Sequence, residues 1–153
     1  MTAALVRPFA RDDLEPSMDI WAAAWTAALP DRDMASSLPA WRTQFIQELL
    51  PARTVLAGTV GGRLAGFAVV DLKRGWLDML CVDPAVHGAG LGRLLLDTAC
   101  ALAEDDLRFR VLKDNESAIG FYEHLGCERE SEGTAPVSGW ACWHYVRRRA
   151  PRA

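Results

Sequence analysis

No Lys-Ser or Lys-Thr dipeptide occurs anywhere in this chain. A Walker A phosphate loop ends on such a pair, so that class is excluded at the outset. The four cysteines, Cys81, Cys100, Cys127 and Cys142, are scattered, with no CxxC pair and no His/Cys cluster at ligand spacing. Each sits in an apolar stretch that suits a buried, reduced thiol, so neither a metal nor a redox dithiol is expected. Nothing approaches the roughly 18 uninterrupted apolar residues of a membrane span. The opening "MTAALVRPFARDD" turns polar too early for a secretory leader. A soluble, cytoplasmic protein without a membrane partner is the expectation. Positive charge is short as well: 17 Lys and Arg against 20 Asp and Glu leave a net charge of −3. A nucleic-acid partner wants the opposite balance. The basic tail at residues 147–153, with Arg147, Arg148, Arg149 and Arg152, reads as a solvated terminus.

What remains is ordinary globular composition, with 50% apolar and 24% charged residues. A chain of 153 residues can bury one core, giving a single domain over 1–153. "ALVRPF" predicts a first strand, and Asp12-Asp13 supply helix-start chemistry. Met18, Trp21, Trp25 and Leu29 form one helical stripe before Pro30; Leu38, Trp41, Phe45 and Leu49 form a second, with Pro39 in its first turn. "TVLAGTV" and "RLAGFAVVDL" flank Gly61-Gly62, a hairpin signal. "GWLDMLCV" is apolar on both faces and belongs in the middle of a sheet. A helix through Leu91, Leu95, Thr98 and Leu102, the strand "LRFRVL", and a short helix closed by Gly126 follow; "CERESE" and "WACWHYV" end the chain as an antiparallel pair. The expected fold is α/β in the α+β sense. It is a mixed, mostly antiparallel sheet of about seven strands flanked by about four helices.

Between the fourth strand and its following helix lies "VDPAVHGAGLGRLLL", with glycines at 88, 90 and 92. Strand, glycine-rich turn and helix N-terminus together make an anion site: free N–H groups point outward, and glycine admits phosphate oxygens close to the main chain. A tight structural turn is the alternative. The GxGxG spacing is not the GxGxxG of a dinucleotide fingerprint, and three strands precede it without intervening helices, which argues against a nicotinamide enzyme.

Directly after the fifth strand runs "NESAIGFYEHLGC", Asn115 to Cys127. With "VDPAVHGAGLG" it resembles the GNAT superfamily of acetyl-CoA-dependent N-acetyltransferases. Val82, Pro84, Gly90 and Gly92 match that family's loop, and Asn115, Ala118, Phe121, Tyr122 and Gly126 match its second motif. The sequence departs from the pattern at His87, where Arg or Gln is usual, at Cys127, usually Phe, and at Arg110, where many members carry Glu.

The resemblance implies acetyl-CoA as cosubstrate, with its pantetheine lying between splayed fourth and fifth strands. It implies main-chain contacts from Leu80, Cys81 and Val82 to pantetheine, and from Gly88, Ala89, Gly90, Leu91, Gly92 and Arg93 to the pyrophosphate, with His87 at the position of a side-chain contact. Asn115, Ala118 and Phe121 complete the cofactor contacts, although Asn115 is equally a helix N-cap. Tyr122 takes the role of general acid near the CoA sulfur, and a backbone N–H of Leu80 or Cys81 that of oxyanion donor. Asp78 shares a face with Trp76, Leu80 and Val82 by strand alternation and is the candidate base, with a chain of waters or a purely structural carboxylate as alternatives. Trp25 and Trp76 are candidates for an acceptor wall, although tryptophans on those helices also suit packing. A small-molecule primary amine is the expected acceptor and a homodimer is possible. A non-catalytic CoA-binding sensor or interaction domain is the competing class.

Overall fold

The computed structural model describes residues 3–149. Seven strands form one sheet: β1 (Ala4–Pro8), β2 (Thr54–Val60), β3 (Arg63–Asp71), β4 (Trp76–Val82), β5 (Leu107–Leu112), β6 (Glu128–Thr134) and β7 (Ala141–Arg147). Their order across it is β1-β2-β3-β4-β5-β7-β6, antiparallel except where β4 meets β5. Four helical segments flank it: α1 (Leu14–Ala28), α2, α3 (Leu91–Leu102) and α4 (Glu116–His124). The second, α2, starts as Leu38–Gln44, widens into a π-helical stretch Phe45–Leu49 and closes with Leu50–Ala52. None of the described helices is long and apolar enough to cross a membrane.

The central strands are apolar on both faces because both faces are covered. Phe67 and Val69 of β3 enter a core with Met18, Trp21, Trp41, Phe45 and Leu49 from α1 and α2. Ala68 and Val70 enter the opposite core, with Leu91, Leu95, Leu96 and Ala99 from α3 and Tyr122 from α4. Burying such side chains contributes about 1.5–3 kcal/mol each. The β2–β3 turn is the predicted one: Gly61 and Gly62 have φ of 61° and 81°, the left-handed pair that a two-residue hairpin needs.

Two further glycines set where α3 begins. A Cβ at Gly58 would lie 2.7 Å from Leu91 Cδ1, and one at Gly66 would lie 2.7 Å from the Cys81 carbonyl and 3.1 Å from Leu91 Cδ2. Bare positions on β2 and β3 therefore seat Leu91 and draw the helix start onto the sheet. That seating fixes the loop before it.

The basic tail is not a solvated terminus over its described part. Arg147 belongs to β7 and pairs with Asp97 at 2.6 Å, while Arg148 reaches Asp106 at 3.2 Å and Glu128 at 3.5 Å. The Arg149 N–H donates to Asp106 at 2.7 Å. Acidic partners sit where this segment crosses the domain, so the arginines tie it down; Arg152 lies outside the described residues. All four cysteines are free thiols; Cys81, Cys127 and Cys142 are buried, and Cys100 is half-buried.

Candidate active site

The loop after β4 is held open at its start by Asp83, whose carboxylate accepts from the Ala85 N–H at 3.0 Å and caps a short 3₁₀ turn, Pro84–Val86. His87, Gly88, Ala89 and Gly90 are then exposed. Gly88 and Gly90 have φ of 89° and 78°, with nothing within 4 Å of a Cβ built on either. Glycine is needed there for conformation and not for space. The first bond of α3 runs from the Leu94 N–H to the Gly90 carbonyl at 3.1 Å, so the N–H groups of Leu91, Gly92 and Arg93 have no intrahelical partner. Gly92 has a different job: a Cβ there would lie 3.0 Å from Phe121 Cζ. It lets α4 pack against the loop. Leu91 is buried, so only its main chain is available to a ligand.

Beside this loop the sheet opens. β4 and β5 share one bridge, Trp76↔Arg108, and then part. The Asp83 N–H donates to the Ala65 carbonyl at 2.7 Å, and Cys81 lies opposite Phe67 in the same ladder. Antiparallel alternation then points the main chain of Cys81 toward β3 and that of Leu80 and Val82 into the gap. Of the three β4 residues expected to offer hydrogen bonds, Leu80 and Val82 face the opening and Cys81 does not. Its N–H is engaged in the ladder.

Tyr122, on α4, lies in the core that Leu80 and Val82 also join. It is 7% exposed, its ring 4.3 Å from that of Phe109. Burial is the main cause holding its phenol well above the usual tyrosine range, and the thiols of Cys81 and Cys127 push the same way. Cys81 belongs to the other core, so its influence on Tyr122 is exerted across the split. Asn115 caps α4, its side-chain oxygen accepting from the Ala118 N–H at 3.1 Å. That oxygen is in use, and the side-chain NH2 is the part left for a ligand. Ala118 and Phe121 are half-buried along the same helix.

On the α2 face of the split lies a cavity of about 220 Å³, lined among others by Trp41, Trp76, Asp78, Met79, Arg110 and Val137. A β-bulge shapes it. Val69 pairs with Met79 and Val70 with Leu77, leaving Asp78 as the extra residue. The expected shared face of Trp76, Asp78, Leu80 and Val82 is therefore broken. Met79 and Cys81 pack toward α1 and α2, Leu80 and Val82 toward α3, while Trp76 and Asp78 line the cavity.

Asp78 accepts a hydrogen bond from Arg53 Nε at 2.7 Å. Burial nevertheless prevails and holds its carboxyl above the ordinary range; Asp71 adds to the rise, while Arg53 and Arg110 oppose it. Trp25 does not line this cavity, since it sits half-buried beside Trp21, ring centres 6.3 Å apart. Trp41, stacked on Trp21 at 5.7 Å, takes the place expected for it. Arg53, Gln44, Met79, Pro136 and Val137 were not legible as site residues, because they converge from α2, β4 and the β6–β7 loop with no shared local pattern.

Residues 14–127 match the acetyltransferase (GNAT) family. The chain belongs to the GNAT family. Among curated proteins, the peptidyl-lysine N-acetyltransferase YjaB of Escherichia coli is 42% identical over 50 residues. That match spans 33% of this chain and 33% of YjaB. A GCN5-related N-acetyltransferase from Rhodopseudomonas palustris superposes with a TM-score of 0.78 at 22% identity, covering 97% of each chain. The PaiA N-acetyltransferase of Thermoplasma acidophilum, solved with coenzyme A, gives 0.74 at 17% identity over 93% of this chain and 98% of its own. The two solved structures share the fold of this chain, and its two sequence motifs fall on either side of the β4–β5 split.

Proposed function

We propose that this GNAT chain transfers the acetyl group of acetyl-CoA to a primary amine of a small molecule, by direct attack within a ternary complex. The observation that carries the reading is the alignment of three features along one split. These are free N–H groups at the start of α3, an unpaired β4 edge at Leu80 and Val82, and an amine-sized cavity on the opposite face. The residues fit the cosubstrate. Gly88 to Arg93 would hold the pyrophosphate by main-chain N–H groups, Leu80, Val82 and the Asn115 NH2 the pantetheine arm, and Ala118 and Phe121 its flank. His87, exposed, can reach a phosphate only by its side chain. When bound, acetyl-CoA supplies a thioester whose carbonyl carbon is open to attack.

Asp78 takes the proton of the incoming ammonium, and the amine nitrogen bonds to the acetyl carbon. The Leu80 N–H donates to the developing oxyanion. As the carbon–sulfur bond breaks, Tyr122 gives its proton to the departing sulfur; the proton still on the new amide nitrogen restores the Tyr122 phenol, and Asp78 releases its own to water. Trp76 and Trp41 wall the acceptor. YjaB acts on peptidyl lysine by name, but the match covers a third of each chain. A cavity of about 220 Å³ suits a compact acceptor better than an extended peptide, being smaller than the roughly 300–1,000 Å³ usual for ligand pockets.

Asp78→Asn tests the base. Because folding raises the Asp78 pKa, the basic form appears only above a pH higher than an ordinary aspartate would need. Activity should rise through that value. The variant is expected to lose this acid limb and about 100-fold in kcat, as read by thiol release across pH. A profile of unchanged shape would give the proton to water instead. The same shift makes the contribution of Asp78 to stability greatest at low pH and declining as pH rises through the folded value.

A further inference from the structure

If the chain acetylates amines as proposed, the cavity also restricts which amine it accepts. Arg110 is the residue that does so. Among the described residues no carboxylate lies within ion-pair distance of it, whereas Arg53 is shared between Asp78 at 2.7 Å and Asp71 at 3.8 Å. The Arg110 guanidinium carbon lies 4.7 Å from the ring centre of Trp76. A cation–π contact of that kind leaves the N–H donors of the group free for another partner. Trp76, Asp78 and Arg110 line one cavity, from strands that run parallel from the Trp76↔Arg108 bridge. Those strands part beyond that bridge, so the Asp78 carboxylate and the unpaired Arg110 guanidinium face one cavity without pairing with each other. The rest of the lining adds the amide of Gln44 to the apolar Trp41, Leu49, Met79 and Val137.

We infer that the acceptor is a compact zwitterion of the amino-acid kind, its carboxylate held by Arg110, its ammonium facing Asp78 and its apolar side group against Trp41 and Met79. Two opposite charges that line one cavity without pairing leave room for a molecule that carries both an ammonium and a carboxylate. A planar guanidinium takes a carboxylate through two parallel bonds. A phosphate would set its doubled charge beside Asp78. A lysyl side chain brings a cation alone and leaves Arg110 without a partner.

The test uses the intact protein with acetyl-CoA and three apolar amino acids, phenylalanine, leucine and methionine. Each is compared with its amide and with its decarboxylated amine. Thiol release gives kcat/KM, and titration with acetyl-CoA is run alongside. At least one amino acid is expected to exceed both of its counterparts that lack the carboxylate by about tenfold or more. Arg110→Gln should bring that ratio to about one, Arg110→Lys should keep part of it, and Arg110→Glu should turn the preference toward the decarboxylated amine. A wild-type ratio of one or less, or a ratio that Arg110→Gln leaves untouched, overturns the inference. Turnover of the decarboxylated amines or of a lysine peptide in preference to all three acids overturns it too, while leaving acetyl transfer standing. Absence of acetyl-CoA binding by the folded protein overturns both.

Discussion

Tyr122→Phe is expected to lower kcat by about 100-fold, the lower bound for losing a positioned general acid, while acetyl-CoA affinity changes by less than about twofold. The reason lies in where the phenol sits. Burial holds its proton tightly, which alone would make it a poor acid for an ordinary thiolate, since a free thiol has a pKa of about 8.5. The departing sulfur, however, leaves into the same dry split. A sulfur leaving away from water is harder to ionise than a free thiol, so donor and acceptor shift in the same direction. Phenylalanine keeps the packing against Phe109 and removes only the hydroxyl, so the fold should stand. Single-turnover kinetics and a titration with acetyl-CoA separate the two quantities. Unchanged turnover would remove Tyr122 from the chemistry.

Gly90→Val should abolish detectable acetyl-CoA binding, a loss of about 100-fold or more in affinity. Two costs combine. A left-handed backbone at φ 78° disfavours a non-glycine residue by about 1–2 kcal/mol. A branched side chain also stands on the surface the pyrophosphate must approach, because the loop is exposed and has no neighbour within 4 Å of that Cβ. No core atom lies near that Cβ, so the free protein should melt lower only by the backbone strain, and thermal melting separates this small loss from the binding defect. Gly92→Val behaves differently, since its Cβ meets Phe121 at 3.0 Å; it should lower the melting temperature as well as affinity. Retained affinity in Gly90→Val would contradict the anion role of the loop.

How far the sequence carried these conclusions can be read from particular residues. Strands β2 and β5 were legible to the residue, because apolar runs there end at turn glycines or helix starts. The motif helices were legible because their signals, glycine conformation and an asparagine cap, are local. Asp78 shows the limit. Its strand was foreseen, but a bulge is an extra residue set by the pairing of β3 and β4, and no pattern within "WLDMLCV" announces it. Its partner Arg53 lies 25 residues away, at the point where α2 hands over to β2. The tryptophans make the same point in another form. Trp25 and Trp41 share a helical stripe signature, and only the crossing of α1 over α2 decides that Trp41 borders the cavity. The arginines after β7 looked like a loose tail because their partners, Asp97, Asp106 and Glu128, come from other elements. Local chemistry was readable; convergence was not.

Isothermal titration of the purified protein with acetyl-CoA tests the central claim most directly. The account predicts saturable binding at one site per chain in the micromolar range or tighter, competed by CoA. A folded sample that takes up no heat and shows no competition would mean that the loop at Gly88–Gly92 is a structural turn, and the acetyltransferase reading would fall with it.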